Sequence, residues 1–251
     1  MVLVPLSDLS GRLPTPSRRL GVLLGVLALL VAGLAVGADV WGGAATGSRP
    51  SRCAVYATDS TARAATVTGQ GSDVLVVGDS WSAGLGLADP ATSWPSQLPG
   101  RVHVAAFSGS GWSSGASACG PRFSFPARLT DALLGVAPEA PVVVAGGLND
   151  YDMSDAAVAA GFARVVRTLT ATDHPFVVVG PAPAPSRLAG AERVDALLAR
   201  LAADAGVTYV SVIDVDDLDY LDDDLHLQAA SHVRFGRLIA RRIAGAGVAL
   251  G

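Results

Sequence analysis

Short apolar runs alternate with longer amphipathic segments from residue 74 onward. The runs are apolar almost throughout, as parallel strands are when both faces of their sheet are covered, and they occupy residues 74–77, 102–107, 141–145, 176–179 and 207–212. Helical periodicity follows the later runs, over residues 127–136, 155–172, 188–205 and 229–244. This alternation predicts an α/β fold, a three-layer α/β/α sandwich with a five-stranded, mostly parallel sheet of the flavodoxin-like kind.

The N-terminal part of the chain has a different pattern. Residues 20–38 carry no charge, and Arg18 and Arg19 precede them directly. That length suits a helix that crosses a bilayer, and the arginines favour a cytoplasmic location for residues 1–19. The small residues 36–38 resemble a cleavage site, so the segment is either an uncleaved signal anchor or a cleaved signal peptide. Both alternatives place the rest of the chain outside the cytoplasm.

Residues 39–72 are rich in Gly, Ala, Ser and Thr and show little apolar periodicity. They are predicted to be a linker that leads to a single domain, residues 73–251. The two cysteines, Cys53 and Cys119, both follow the apolar segment. In an exported protein an even pair predicts a disulfide, the alternative being two free buried thiols.

Composition excludes several classes of function. A net charge of −4 offers no basic surface for nucleic acid. The chain has no lysine, which excludes catalysis by a lysine amine. Neither cysteine has a second Cys or a His at metal-ligand spacing. No cofactor or metal is implied.

Ligands of parallel α/β sheets bind beyond the carboxyl ends of the strands, so the residues that follow each apolar run are candidates for chemistry. Ser80 follows the first run in the sequence Gly78-Asp79-Ser80, where its hydroxyl would stand at the start of a helix. The alternative is that Asp79 and Ser80 only cap that helix.

Two further strands are followed by groups that can donate hydrogen bonds. Glycine-rich residues 108–113 follow the second run, and backbone N–H groups can approach a substrate closely there. Asn149 follows the third run, and its amide can donate to a developing oxyanion. The alternatives are a flexible loop and an ordinary Asn-Asp turn.

Asp223 and His226 stand three residues apart, just before the last helical segment. If the loop curls, the carboxylate orients the imidazole, which can then take a proton from a serine elsewhere in the fold. The alternative is a solvated acidic loop with a surface histidine.

Taken in order, these blocks resemble the SGNH (GDSL-like) hydrolase superfamily. The resemblance implies a Ser80, Asp223 and His226 catalytic triad, with Asn149 and the Ser80 N–H as oxyanion donors. The glycine block matches less well. Ser110-Gly111 aligns with the Ser-Gly pair of the family, which implies Gly111 as the third donor, but Gly109 is close enough to be that donor instead.

A rival motif lies nearby. Residues 111–115 satisfy the Gly-x-Ser-x-Gly pattern of the α/β-hydrolase nucleophile elbow, with Ser113 as the nucleophile. That elbow needs a strand running directly into the turn and a helix leaving it. Here a glycine-rich stretch precedes Ser113 and residues 118–121 are poor material for a helix start.

The resemblance implies a serine esterase that acts on small-molecule or glycan acyl esters. Short acyl chains are expected, because no long lid insertion separates the blocks. The alternatives are an O-acyltransferase that acts on a cell-surface glycan with the same triad, and a non-catalytic surface module. Trp81, Trp112 and Tyr151 adjoin the candidate residues and either line a pocket or pack in the core.

Overall fold

Six strands form one sheet in the computed structural model, which describes residues 50–250. They are β1 (Thr68–Gln70), β2 (Asp73–Gly78), β3 (Gly100–Ala106), β4 (Val142–Ala145), β5 (Phe176–Val179) and β6 (Tyr209–Val210). Their order across the sheet is β1-β3-β2-β4-β5-β6. Only β1 pairs antiparallel, and the other pairs are parallel. The predicted mostly parallel sheet is confirmed.

Helices cover both faces of this sheet. They are α1 (Arg52–Ala64), α2 (Ser80–Ala83), α3 (Phe125–Leu133), α4 (Asp155–Ala171), α5 (Leu188–Ala205) and α6 (Ala229–Gly245). Side chains of α3, α4 and α5 share one core with the sheet, and side chains of α6 share the other. The three-layer sandwich therefore agrees with the prediction, and the long helices begin and end close to the predicted residues.

The central strand β2 shows why its sequence is apolar at successive positions. Val74 and Val76 point into the core that α6 covers, whereas Leu75 and Val77 point into the opposite core. All four are at most 2% exposed. A strand covered on both faces has no solvent side on which a polar residue would be favoured.

The sheet has one strand more than predicted. Strand β1 is three residues long and lies at the edge, where Thr68 pairs with Val102 and Gln70 with Gly100. Its residues are polar or glycine and none is fully buried, so it leaves no apolar run in the sequence.

The structure also differs from the linker prediction over residues 50–72. Helix α1 and strand β1 lie there, and residues 50–250 group into one compact unit. Only Arg63 of α1 is fully buried, so the helix has no apolar stripe. Polar contacts attach it instead, including a 2.6 Å hydrogen bond from the Ser60 hydroxyl to the Ala106 carbonyl.

A disulfide joins Cys53 of α1 to Cys119, in the loop before α3, as the sequence predicts. Such a bond indicates an extracytoplasmic location. The candidate membrane segment, residues 20–38, lies outside the described residues. Within residues 50–250, no helix has both the length and the apolar character needed to cross a membrane.

Candidate active site

One cavity of about 380 Å³ gathers most of the candidate residues at the carboxyl edge of the sheet. Its walls include Ser80, Gly109, Asn149 and His226, which come from loops that follow three strands and precede the last helix. Asp223 lies behind His226, in hydrogen-bond contact with it. The fold therefore brings together side chains that lie up to 146 residues apart along the chain.

Ser80 is the first residue of α2, directly after β2. The helix cap is supplied by Asp79, whose Oδ1 accepts the Trp81 N–H at 3.0 Å. Capping thus does not occupy the Ser80 hydroxyl. That hydroxyl lies 3.0 Å from Nε2 of His226, and the residue is 6% exposed, facing the cavity.

Asp223 holds His226 from the opposite side. Its Oδ2 lies 2.6 Å from Nδ1 of the ring, and its Oδ1 accepts the backbone N–H groups of His226 and Leu225 at 2.9 and 3.0 Å. Partial burial acts to raise the pKa of Asp223, but the hydrogen bonds from His226 and Leu225 outweigh it and lower that pKa. Because a carboxylate only accepts, Nδ1 carries the proton and Nε2 offers its lone pair toward Ser80.

Aromatic side chains near the site have structural roles. The Trp81 indole is 4% exposed and donates to the Leu225 carbonyl at 3.0 Å, which anchors the loop that carries His226. Trp112 is fully buried in the core. Tyr151, the third aromatic residue that adjoins the candidate residues in the sequence, is exposed, at 39%.

The glycine-rich loop is anchored by Asp150, whose carboxylate accepts the backbone N–H groups of Trp112 and Ser113, both at 2.9 Å. Burial raises the pKa of Asp150. A Cβ on Gly111 would come within 2.3 Å of the same carboxylate, so close packing on Asp150 accounts for a glycine at that position.

Gly109, by contrast, lines the cavity. It has φ of +83°, in the region that favours glycine, and a Cβ there would meet no described atom within 4 Å. Of the two glycines left open by the sequence, the structure brings Gly109 to the cavity beside Ser80. Which of the two donates to an oxyanion stays a prediction.

Asn149 has its amide held at both ends. Its Nδ2 donates to the Ser110 carbonyl at 2.8 Å, and its Oδ1 accepts from Nη1 of Arg187 at 2.7 Å. Sequence reasoning missed Arg187, although a signal was present. Arg187 lies in the segment that follows β5, and the segments that follow other strands supply Ser80 and Asn149.

Arg128 of α3 is a second arginine that sequence reasoning missed. Its guanidinium donates to the carbonyls of Ala105 and Gly78 and to the Ser110 hydroxyl, at 2.7 to 2.9 Å. Burial lowers its pKa to about 10, so it stays charged at neutral pH. Burial likewise raises the pKa of the neighbouring Asp79 to about 6.

Ser113 does not have the surroundings of a nucleophile. It is fully buried in the loop between β3 and α3, so no strand runs into it and no helix leaves it. The imidazole of His226 contacts the hydroxyl of Ser80 and not that of Ser113. Within residues 50–250, no group of three or more His, Cys, Asp or Glu side chains is arranged to hold a metal ion.

Comparison with known proteins assigns the chain to a family. The model of the GDSL-like Lipase/Acylhydrolase family matches residues 76–234. No curated protein matches the chain. A carbohydrate acetylesterase from Sinorhizobium meliloti is similar in structure, with 21% identity, a TM-score of 0.57, and coverage of 70% of this chain and 99% of that one. The aryl esterase of M. smegmatis shares 19% identity with a TM-score of 0.55, over 70% and 99% of the two chains. The chain belongs to the GDSL-like lipase/acylhydrolase family and is an esterase-type acylhydrolase that acts on ester bonds.

Proposed function

We propose that the protein hydrolyses short acyl esters with Ser80 as nucleophile, His226 as general base and Asp223 as the group that orients the imidazole. One observation carries the proposal. A continuous chain of hydrogen bonds runs from the Asp223 carboxylate through both ring nitrogens of His226 to the Ser80 hydroxyl, over distances of 2.6 and 3.0 Å. This is the arrangement that activates a serine hydroxyl for attack on a carbonyl.

The reaction has two steps, acylation of Ser80 and hydrolysis of the acyl-serine. Ser80 Oγ attacks the ester carbonyl while its proton passes to Nε2 of His226, and the imidazolium then protonates the leaving alcohol to leave an acyl-serine. In the second step water gives its proton to His226 and attacks the acyl-serine, and the acid leaves as Ser80 regains its proton. Asp223 stays ionised and stabilises the imidazolium in both steps.

The negative charge of each tetrahedral intermediate needs donors. The proposal assigns them to the N–H of Ser80, the N–H of Gly109 and Nδ2 of Asn149. Supporting it, Gly109 and Asn149 line the same cavity as the Ser80 hydroxyl. The Ser80 N–H belongs to the first turn of a helix, where backbone donors lack partners within the helix.

A short acyl group and a small-molecule or glycan alcohol fit the size of the cavity. Its volume of about 380 Å³ is near the lower end of the range for ligand pockets. The disulfide together with Arg52 and Tyr56 of α1 forms one wall. If the uncharged segment 20–38 is not cleaved, it would anchor the protein on the outer face of a membrane. If it is cleaved, the protein would be released.

An ester panel tests the reaction and the acyl length together. The purified protein is offered p-nitrophenyl esters of rising chain length and acetylated sugars, without any added acceptor alcohol. We expect acid release, fastest for acyl chains of two to about four carbons because the cavity is small. Faster turnover of chains longer than about ten carbons would contradict the short-acyl proposal. Acyl transfer that requires a glycan acceptor would instead identify a transferase.

Two serine variants test the nucleophile. Ser80→Ala is expected to lose acyl-enzyme formation and covalent labelling by a fluorophosphonate probe, because the attacking oxygen is removed. Ser113→Ala is the matched control, since it removes a hydroxyl from the rival motif. The Ser113→Ala variant is expected to keep acyl-enzyme formation and covalent labelling. A labelled, active Ser80→Ala beside a folded but inactive Ser113→Ala would overturn the assignment.

A further inference from the structure

The Asn149 amide is held in one orientation by partners of opposite kind. Arg187 has only donors, so the atom that faces it must be Oδ1, and the Ser110 carbonyl only accepts, so the atom that faces it must be Nδ2. A flipped amide would set an NH₂ group against a guanidinium and an oxygen against an oxygen. Asn149 thus has a single favourable arrangement.

That arrangement leaves one donor for the cavity. Nδ2 carries two hydrogens, and the Ser110 carbonyl takes one of them at 2.8 Å. Asn149 lines the cavity with Ser80 and Gly109, so the second N–H is the one available to a bound oxyanion. Its direction depends on the amide plane, which the bond to Arg187 keeps from rotating.

Arg187 is itself fixed in place. It ends the turn Pro185–Arg187, directly before α5, and its guanidinium stacks over the Tyr151 ring at 4.6 Å. Its Nη1 donates to Asn149 Oδ1 at 2.7 Å and lies 3.4 Å from the Leu148 carbonyl. All three contacts go to residues 148–151, the turn after β4.

Helix α5 provides a rigid base for these contacts. A Cβ on Gly190 would come within 2.5 Å of the Tyr151 carbonyl, so only glycine lets the helix approach the turn this closely. Arg193, one turn further on, donates to the carbonyls of Asp150 and Met153 at 3.1 and 2.8 Å. Contacts to the backbone therefore hold the turn, and the Asn149 side chain is held separately, by its hydrogen bonds to Arg187, which precedes α5, and to Ser110.

We propose that Arg187 is a positioning residue, whose guanidinium fixes and polarises the Asn149 amide so that its free N–H meets the oxyanion of the tetrahedral intermediate. The inference rests on the proposed function. A positive charge on the oxygen side of an amide withdraws electron density from its nitrogen, which strengthens the N–H as a donor. Because the oxyanion exists only near the transition state, the effect falls on kcat and hardly on KM.

The test is a double-mutant cycle on the full chain with p-nitrophenyl acetate. Asn149→Ala is expected to lower kcat by roughly 10²- to 10³-fold with KM little changed. Arg187→Met keeps the aliphatic stem and removes the donors, and it is expected to lower kcat by roughly 10- to 100-fold. In the Asn149→Ala background, Arg187→Met should change kcat by less than about 2-fold, because the amide it positions is gone.

Two further variants separate positioning from a structural role. Arg187→Lys keeps a charged donor and should recover part of the lost kcat. Arg200→Met removes an exposed arginine from α5, the helix that Arg187 precedes, and should match the wild type. A Tm within a few degrees of wild type is expected for each variant.

Three results would overturn the inference. These are a kcat for Arg187→Met equal to wild type, an effect confined to KM, and losses that multiply in the double variant. Ser80→Ala is measured alongside to keep the two proposals apart. An active Ser80→Ala would overturn the proposed function and this inference with it, whereas an inactive Ser80→Ala with any of those three results overturns the inference alone.

Discussion

His232 on α6 is a buried base whose protonation opposes folding. It is 1% exposed, and its Nδ1 accepts the Trp94 N–H at 3.3 Å. Burial, assisted by the nearby His226, lowers its pKa from 6.5 to about 4. Between these two pH values the unfolded chain binds a proton that the native protein does not. This group therefore makes the native state more stable as pH rises from 4 to 6.5, and that stability is lost as pH falls.

His232→Asn is expected to flatten this pH dependence, since the Asn oxygen can accept the same N–H and does not titrate. The free energy of unfolding is measured in urea from pH 4 to pH 7.5. Between pH 4 and 6.5 it should rise less steeply with pH in the variant than in wild type, by up to about 1.4 kcal/mol per pH unit. Asp79 changes the free energy of unfolding in the opposite direction over part of this range, because burial raises its pKa to about 6 and the native state then binds more protons than the unfolded chain. The variant is therefore compared with wild type at each pH, and an unchanged slope would contradict the prediction.

At the scale of single residues, the sequence shows some roles and conceals others. Ser80, Asn149, Asp223 and His226 could be proposed from the sequence, because they combine a reactive residue type with a position that follows a strand or precedes the last helix. The choice between two glycines could not be made, because it depends on which one packs against Asp150. Its position after β5 was not enough to distinguish Arg187, because arginine is a common residue type and the role proposed for it depends on Asn149, the partner that the fold brings to it.

At the scale of elements, α3 supports the site through the side chain of Arg128. Arg128 bridges the ends of β2 and β3 and the glycine-rich loop by its bonds to Gly78, Ala105 and Ser110. We expect Arg128→Met to lower the free energy of unfolding by at least about 3 kcal/mol, because it removes several buried hydrogen bonds from a charged donor. Urea denaturation measures this loss.

Arg164→Met is the control for Arg128→Met, because Arg164 is an exposed arginine on the neighbouring α4. It should change the free energy of unfolding by no more than about 0.5 kcal/mol. Equal losses for the two variants would show that the bridge made by Arg128 adds nothing beyond an ordinary surface arginine.

Elements are predictable from sequence to the extent that they bury apolar side chains. Strands β2 to β5 and helices α3 to α6 each contribute to a core, so their periodicity was visible. The sequence predicts a linker where helix α1 and strand β1 lie, because these elements attach through a disulfide, Arg63 and backbone pairing with β3. Such contacts leave no pattern of hydrophobic and polar positions.

At the scale of the whole molecule, the disulfide closes a loop across a sequence separation of 66 residues. In the chain-entropy model a loop of that size stabilises the native state by about 4 kcal/mol. We expect the double variant Cys53→Ser, Cys119→Ser to lose about that much in urea denaturation. KM should rise more than kcat falls, because the bond holds a wall of the cavity and not the triad. Wild-type stability in the double variant would contradict the entropic account.

The disulfide is also part of the cavity wall, and this matters for anyone who prepares the protein. Chains made in a reducing cytoplasm, or stored with dithiothreitol, would keep Arg52 and Tyr56 at the cavity by noncovalent contacts alone. A reduced batch and an oxidised batch of the same sequence would then give different Michaelis constants. Expression in an oxidising compartment and a thiol titration of each batch make kinetic measurements from different laboratories comparable.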